Sequence, residues 1–247
     1  NALGDRATTA LRGFLALTRK LNAILVVSSQ YEPPTELGFL PVITVQRPSM
    51  NLKHRIAEAA SGGSLGHNIV DALKAVRSGF EAQIIGIVGS DLGIDVPRPV
   101  LIDQYVRTRL GDNARAANFA LRRLATKFHE DVAFSLPETG FDDLMHALGV
   151  SFTVSDSLID SGLLIRRLGR VSFSHEMLQN SLAAFDLAKL AADNPSNTGL
   201  ELSSARYDSI AADVIAAIDD AYLCGEVLGS LSSSRLLCKA ADGVLGS

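Results

Sequence analysis

A histidine stands where a predicted strand gives way to a predicted helix. In "LGRVSFSHEMLQNSLAAFDLAK", residues 168–189, alternation predicts a short strand, and His175 opens a helical pattern that continues to about residue 192. A helix N-terminus carries unpaired N–H groups and a partial positive charge, and an imidazole there adds a hydrogen-bond donor. Such a terminus is suited to binding phosphate. The alternative is that Ser174 caps the helix and His175 is a surface residue of its first turn.

Three polar residues follow a predicted buried strand near the start of the chain. The apolar run 24–27 suits a strand covered on both faces, as in parallel α/β sheets, and Ser28, Ser29 and Gln30 come directly after it. Open α/β sheets bind ligands at the carboxyl ends of their strands, where hydroxyl and amide groups could orient a γ-phosphate or a water molecule. Polar residues at a strand end need no function, and that alternative stays open.

The sequence has no Gly-x-x-x-x-Gly-Lys-Ser/Thr motif, the loop that cradles phosphates and supplies the hydroxyl for Mg²⁺. The glycine-rich stretch 61–68, "SGGSLGHN", has no lysine and follows a predicted helix, so we interpret it as a loop. The chain alone is therefore not expected to hydrolyse ATP, and hydrolysis by the full-length protein stays open. Four histidines have no partner at metal-ligand spacing and are interpreted as surface or core residues: His54, His67, His129 and His146.

The composition limits the kinds of protein that this chain can be. The 247 residues are 47% hydrophobic, enough for a sizeable core, and a net charge of −4 gives no overall attraction to nucleic acid or to an anionic membrane. No apolar run reaches the roughly 18 residues that would span a bilayer. Cys224 and Cys238 fit neither a zinc spacing nor a disulfide framework, which favours a cytoplasmic location. Because Asn1 already stands close to a helical pattern, we expect a piece of a longer protein.

Hydrophobic periodicity predicts a mainly α chain that begins with the remnant of an α/β sheet. Strands are predicted at 24–27 and 41–46, and a hairpin at 163–174 with its turn at Gly169. The predicted helices are 5–21, 50–60, 64–78, 80–88, 100–110, 112–130, 141–149, 157–162, 175–192, 203–223 and 226–245. A linker is expected at 90–99 and a polar break at 193–199.

Local signals place several caps and one buried face. Asp5 is expected to cap the first helix, Gly140 to precede the helix at 141–149, and Ser155 or Asp156 to cap the helix that stops at Gly162. In the helix at 112–130, the spacing predicts one apolar face formed by Phe119, Leu121, Leu124, Ala125 and Phe128.

The run "DSLIDSGLLIRRLGRVSFSHEMLQNSLAAFDLAK", residues 156–189, resembles the winged-helix segment of STAND-class signalling ATPases, the NACHT and NB-ARC families. The shared pattern is a short helix ending in "SGLL", a wing, and "VSFSHE" before a helix with "Q..LAA". Upstream, "LNAILVVSSQ" is similar to the strand that follows the Walker B strand in these proteins. The resemblance extends in order along most of residues 1–192.

The resemblance implies an architecture and a function. The end of an α/β NTPase core would occupy residues 1–47, and a helical lid would follow at 48–95. A winged helix would occupy 96–192, and the helices of 193–247 could begin a repeat array. It implies a switch that is closed on ADP and open on ATP with Mg²⁺, in which His175 reaches the β-phosphate of ADP and Ser28, Ser29 and Gln30 lie at the nucleotide. An upstream P-loop subdomain would be its partner in the same protein, and activation would bring homo-oligomerisation.

The chain departs from the family pattern at two points. Family members more often carry an arginine near the strand tip, where this chain has Gln30. A Gly-x-Pro in the lid is typical, whereas "SGFEAQ", residues 78–83, has Phe80 and Glu81 after Gly79.

Two other classes of function compete with the switch. Arg166, Arg167 and Arg170 gather in the predicted wing, as in winged-helix regulators that bind DNA phosphates. The preceding segment "FTVSDSLIDSG", which would enter the major groove, has no Arg, Lys, Asn or Gln and carries two aspartates, so nucleic-acid binding is not expected. A non-enzymatic helical module that binds a protein partner is the third possibility.

Overall fold

The computed structural model describes residues 2–21, 46–63, 65–66, 69–89, 98–111 and 114–233. They fall into two compact units, 1–46 and 47–247. In the first unit the described element is helix α1 (Ala2–Lys20). It begins before Asp5, so Asp5 is not its cap. The strands predicted at 24–27 and 41–46 lie outside the described residues apart from Gln46, which is in neither a helix nor a strand.

The second unit begins with three helices, α2 (Met50–Ser61), α3 (Ile69–Ala75) and α4 (Gly79–Val88). Helix α3 is shorter than the helix predicted at 64–78. Helices α2 and α4 pack very closely, because a Cβ built on Gly86 would lie 2.2 Å from the carbonyl oxygen of Ala57. The buried Lys53 donates from Nζ to the carbonyl oxygens of Leu73 and Val76, which satisfies the end of α3.

Helices α5 (Arg98–Leu110) and α6 (Ala114–Glu130) follow. Helix α5 starts inside the segment predicted as a linker. The face of α6 that packs inward contains Leu121, Leu124, Ala125 and Phe128, as predicted, but Phe119 is 50% exposed. The buried residues of α6 recur every three or four positions, and Phe119 does not fall on that face of the helix. Its prediction as a core residue was therefore wrong.

Between residues 136 and 173 the chain forms a small antiparallel sheet with two helices. Its elements are β1 (Leu136–Pro137), α7 (Glu138–Ala147), α8 (Phe152–Asp160), β2 (Leu164–Arg167) and β3 (Arg170–Phe173). The strand order is β1-β3-β2. Leu168 and Gly169 both have positive φ, 52° and 71°, so they form the two-residue turn that suits a tight hairpin, as predicted at Gly169.

The predicted starts of the two helices in this region need correction. Helix α7 begins at Glu138, so Gly140 lies in its first turn rather than before it. Helix α8 is capped by Ser151, whose hydroxyl accepts the N–H of Val154, and not by Ser155 or Asp156. Ser155 is buried inside the helix. The predicted end holds, because Gly162 has a φ of 74°.

The longest of the remaining helices is α9 (Glu176–Ala191), which packs on α5, α6, α10 and α11 and buries Leu178, Leu182 and Leu187. After it come α10 (Pro195–Leu202), a short 3-10 turn at Ala205–Tyr207, α11 (Ala211–Ala216) and α12 (Ala221–Gly229). The polar stretch predicted to break the pattern at 193–199 is thus mostly helical, because Asn194 caps a helix with Pro195 at its first position. The helices predicted at 203–223 and 226–245 are replaced by these shorter elements as far as residue 233.

Candidate functional site

His175 is the N-cap of helix α9. Strand β3 ends at Phe173, and His175 has an extended backbone with φ −150° and ψ 137°. Its Nδ1 accepts the N–H of Met177 at 3.1 Å, the kind of bond that a serine or aspartate side chain makes when it caps a helix. The predicted alternative, in which Ser174 caps the helix, is therefore wrong. His175 is the capping residue itself.

The capping bond decides which nitrogen of the imidazole can bind a ligand. Because Nδ1 accepts a backbone N–H, the neutral ring carries its proton on Nε2. The Met177 N–H is satisfied by this bond, so the imidazole, rather than that backbone group, is the available donor of the cap. One directed N–H at a helix N-terminus can hydrogen-bond to an anionic oxygen.

The His175 ring stacks on the side chain of Phe80, from the start of α4. The ring centroids are 4.0 Å apart and the planes differ by 5°. Phe80 in turn meets Tyr105 of α5, with centroids 6.2 Å apart and planes at 82°. Three elements far apart in sequence therefore meet at the N-cap of α9.

Burial lowers the pKa of His175, because the partly desolvated ring is harder to charge. The carboxylates of Glu176 and Glu81 act in the opposite direction and favour the protonated form, but they do not outweigh burial. The residue still keeps enough exposed surface to contact a ligand. The lowered pKa favours the neutral imidazole, which offers a hydrogen-bond donor.

The start of α4 is fixed by a buried carboxylate, Glu81, which is 4% exposed. Its Oε2 accepts the N–H groups of Arg77 and Ser78, both at 2.8 Å, while Ser78 accepts the N–H of Glu81, which completes a capping box. Arg98 Nε donates to Oε1 at 3.1 Å. Burial opposes ionisation of Glu81, but these hydrogen bonds and the Arg98 charge outweigh it and hold its pKa below the ordinary value.

The other three predicted site residues precede His175 by more than 140 positions in the sequence. Ser28, Ser29 and Gln30 lie outside the described residues. The structure therefore describes one of the four predicted nucleotide-binding residues, and it adds Phe80 as a direct neighbour. Sequence reasoning noted Phe80 only as a departure from a motif, because nothing local in the sequence indicates a contact with residue 175.

The hairpin arginines are partly engaged within the protein. Arg170 donates to the hydroxyl and the carbonyl of Ser135 at 2.7 and 2.8 Å, and Arg166 Nε lies 3.6 Å from a carboxylate oxygen of Glu138. The preceding helix α8 exposes Asp156 and Asp160. An acidic helix is unfavourable in a major groove, because it would face the negative potential of DNA.

Two of the other described histidines, His129 and His54, have structural contacts. His129 is buried, and its Nε2 lies 3.1 Å from Oδ1 of Asn180. His54 lies 3.5 Å from Glu58 on the next turn of α2. Across the described ranges, no three His, Cys, Asp or Glu side chains gather as metal ligands. No helix among the same residues is both long enough and apolar enough to cross a membrane.

Comparisons of the chain with protein-family models, with curated proteins and with solved structures found no match.

Proposed function

We propose that this chain is the controlling part of an ADP/ATP-dependent signalling switch of the NACHT/NB-ARC type. The observation that carries the proposal is the contact of His175 with Phe80, 4.0 Å between ring centroids. It joins the residue implied to sense phosphate with the helix implied to form the lid. A closed switch requires this proximity, because lid and sensor must approach the same nucleotide.

The order of elements also supports the proposal. From α6 to β3 the chain runs helix, strand, helix, helix and hairpin, and the sheet order is β1-β3-β2. This is the order expected of a winged helix, with β2 and β3 as the wing. Helices α2, α3 and α4 would be the lid, and α9 the helix that follows the wing.

His175 is suited to contact a phosphate in one defined way. Its Nδ1 is bonded to Met177, so Nε2–H is the group that would donate to the β-phosphate of ADP. Mg²⁺ and the triphosphate supply the charge that distinguishes the open state, and their ligands would come from an upstream P-loop subdomain. Ser28, Ser29 and Gln30 are the other residues that the resemblance implies at the nucleotide.

The switch follows from where α9 is anchored. While Nε2 of His175 is bonded to phosphate, α9 and the wing stay against the lid. When that bond is lost, the segment containing α9 can move away, and the freed surface can pair with further copies of the protein.

The experiment measures ADP release from the full-length protein. His175→Ala removes a hydrogen bond to a charged group, a contact worth about 1.5–3 kcal/mol, so ADP should leave roughly 10 to 150 times faster. Basal oligomerisation, measured by light scattering, should rise. His146→Ala, at an exposed position of α7, is the matched control. Unchanged ADP release together with unchanged oligomerisation in His175→Ala would refute the proposal.

A further inference from the structure

The contact between Phe80 and His175 is closer and flatter than most aromatic contacts. Aromatic side chains in proteins commonly pair with centroids about 4.5–7 Å apart in offset or edge-to-face arrangements. Here the separation is 4.0 Å and the angle between planes is 5°. One face of the imidazole is therefore covered by the benzene ring.

Phe80 is itself held on two sides. It is next in sequence to Glu81, whose carboxylate caps the start of α4 and pairs with Arg98 at the start of α5. The Tyr105 ring of α5 lies at right angles to it, 6.2 Å away. The backbone at Phe80 is thus fixed by the capped start of α4, and its phenyl ring presents a flat surface to the imidazole.

The imidazole has two restraints that act on different degrees of freedom. The bond from the Met177 N–H to Nδ1 selects the tautomer with the proton on Nε2. That single bond leaves the ring free to tilt about it. The parallel stacking of Phe80 on the imidazole restrains this tilt and so sets the direction of the Nε2–H bond.

We propose that Phe80 is a positioning residue for His175, which stacks on the imidazole and aims its Nε2–H. The consequence for nucleotide rests on the proposed function: an aimed donor retains ADP, and separation of α4 from α9 turns the donor away. The stacking itself is a property of the chain without nucleotide, so the two can be tested separately.

The first experiment is NMR of the 247-residue chain with histidine labelled in ¹³C and ¹⁵N. The ring protons of His175 should be shifted upfield by the phenyl ring and should show NOEs to Phe80. The ¹⁵N shifts should report a protonated Nε2 and an unprotonated Nδ1. Phe80→Leu should remove the upfield shift but leave the tautomer unchanged, because the Met177 N–H selects it, whereas Phe80→Tyr should preserve both. The signals of His129, which is remote from Phe80 in sequence and bonded to Asn180, serve as the internal control.

Two NMR results would each contradict the positioning role of Phe80. Missing NOEs in the unsubstituted chain would overturn the proposal without any variant, including the case in which Phe80→Leu does not fold. Identical His175 ring-proton shifts in the unsubstituted chain and Phe80→Leu would also overturn it, because a phenyl ring stacked on the imidazole must shift those protons.

The second experiment measures ADP release from the full-length protein. Loss of one stacking contact predicts release about two to ten times faster in Phe80→Leu, with recovery in Phe80→Tyr. If the NMR signature is present but His175→Ala leaves ADP release unchanged, the proposed function fails while the positioning stands. If His175→Ala speeds release but the NMR signature is missing, the positioning fails and the proposed function stands.

Discussion

Replacing Gly86 by alanine should separate helices α2 and α4. A Cβ at this position would lie 2.2 Å from the carbonyl oxygen of Ala57 and 2.9 Å from its carbonyl carbon and Cα. An unstrained carbon–oxygen contact needs about 3.3 Å, so the helices must move apart by roughly 1 Å. These are backbone atoms, which cannot rotate away as a side-chain end can. The packing between α2 and α4 therefore depends on the missing Cβ.

The magnitude follows from two opposing effects. Overpacking a buried contact costs about 3 kcal/mol when the neighbour is rigid, and alanine regains about 1 kcal/mol relative to glycine inside a helix. We expect Gly86→Ala to lower the free energy of unfolding by about 2 kcal/mol. For a chain of this size, the melting temperature should fall by about 4–8 °C.

The assay is urea unfolding followed by circular dichroism, with Gly225→Ala as the control. Gly225 lies inside α12 and is exposed, and a Cβ there meets nothing within 4 Å. Gly225→Ala should therefore be neutral or stabilising by up to about 1 kcal/mol. If Gly86→Ala proved as stable as Gly225→Ala, the close approach of α2 and α4 would be refuted.

Two further predictions concern buried charge. Asp103 is 7% exposed and accepts hydrogen bonds from Asn118, Arg122 and Arg107. Asp103→Ala should therefore lower the free energy of unfolding in urea by about 3–5 kcal/mol, whereas Asp142→Ala, at an exposed position, should change it little. Equal unfolding free energies for the two variants would contradict the buried network. Burial opposes ionisation of Asp103 and of Glu81, but their hydrogen bonds and arginine partners hold both pKa values below the ordinary 3.8 and 4.5. Because both pKa values are lower in the folded chain, the unfolded chain binds protons more readily as the pH falls. The contribution of the two ionised carboxylates to the free energy of unfolding is therefore complete above about pH 5 and is lost as the pH falls through the folded pKa values. Asp103→Asn should flatten the acid limb of the curve of unfolding free energy against pH, and an unchanged slope would argue against ionised Asp103.

Local chemistry made much of the fold predictable. The hairpin was predicted with its turn because "LG" between two alternating runs suits a two-residue turn with positive φ. The buried face of α6 follows from the spacing of apolar residues at 117–128. Only Phe119 was misplaced, because it is hydrophobic but does not share the helical spacing of the buried residues. The capping box of Ser78 and Glu81 has a sequence signature, serine followed three residues later by glutamate, that could have located the start of α4.

Other features depend on contacts between distant residues. Three serines and a histidine lie near the starts of α8 and α9, and the structure has Ser151 rather than Ser155, and His175 rather than Ser174, as the caps. The stack of Phe80 on His175 has no local signature, since it joins α4 to α9, two helices that both pack on α5. The sequence could thus indicate His175 as a candidate binding residue, but it could not identify Phe80 as the residue stacked on it.

The central claim is that Nε2–H of His175 contacts the β-phosphate of a bound adenine nucleotide. AMP lacks that phosphate, so the most direct measurement is the ratio of the AMP and ADP dissociation constants in the full-length protein, with and without His175→Ala. We predict that the substitution weakens ADP binding by about 10-fold or more, leaves AMP binding unchanged, and so reduces the ratio by the same factor. An equal ratio in both proteins would contradict the account.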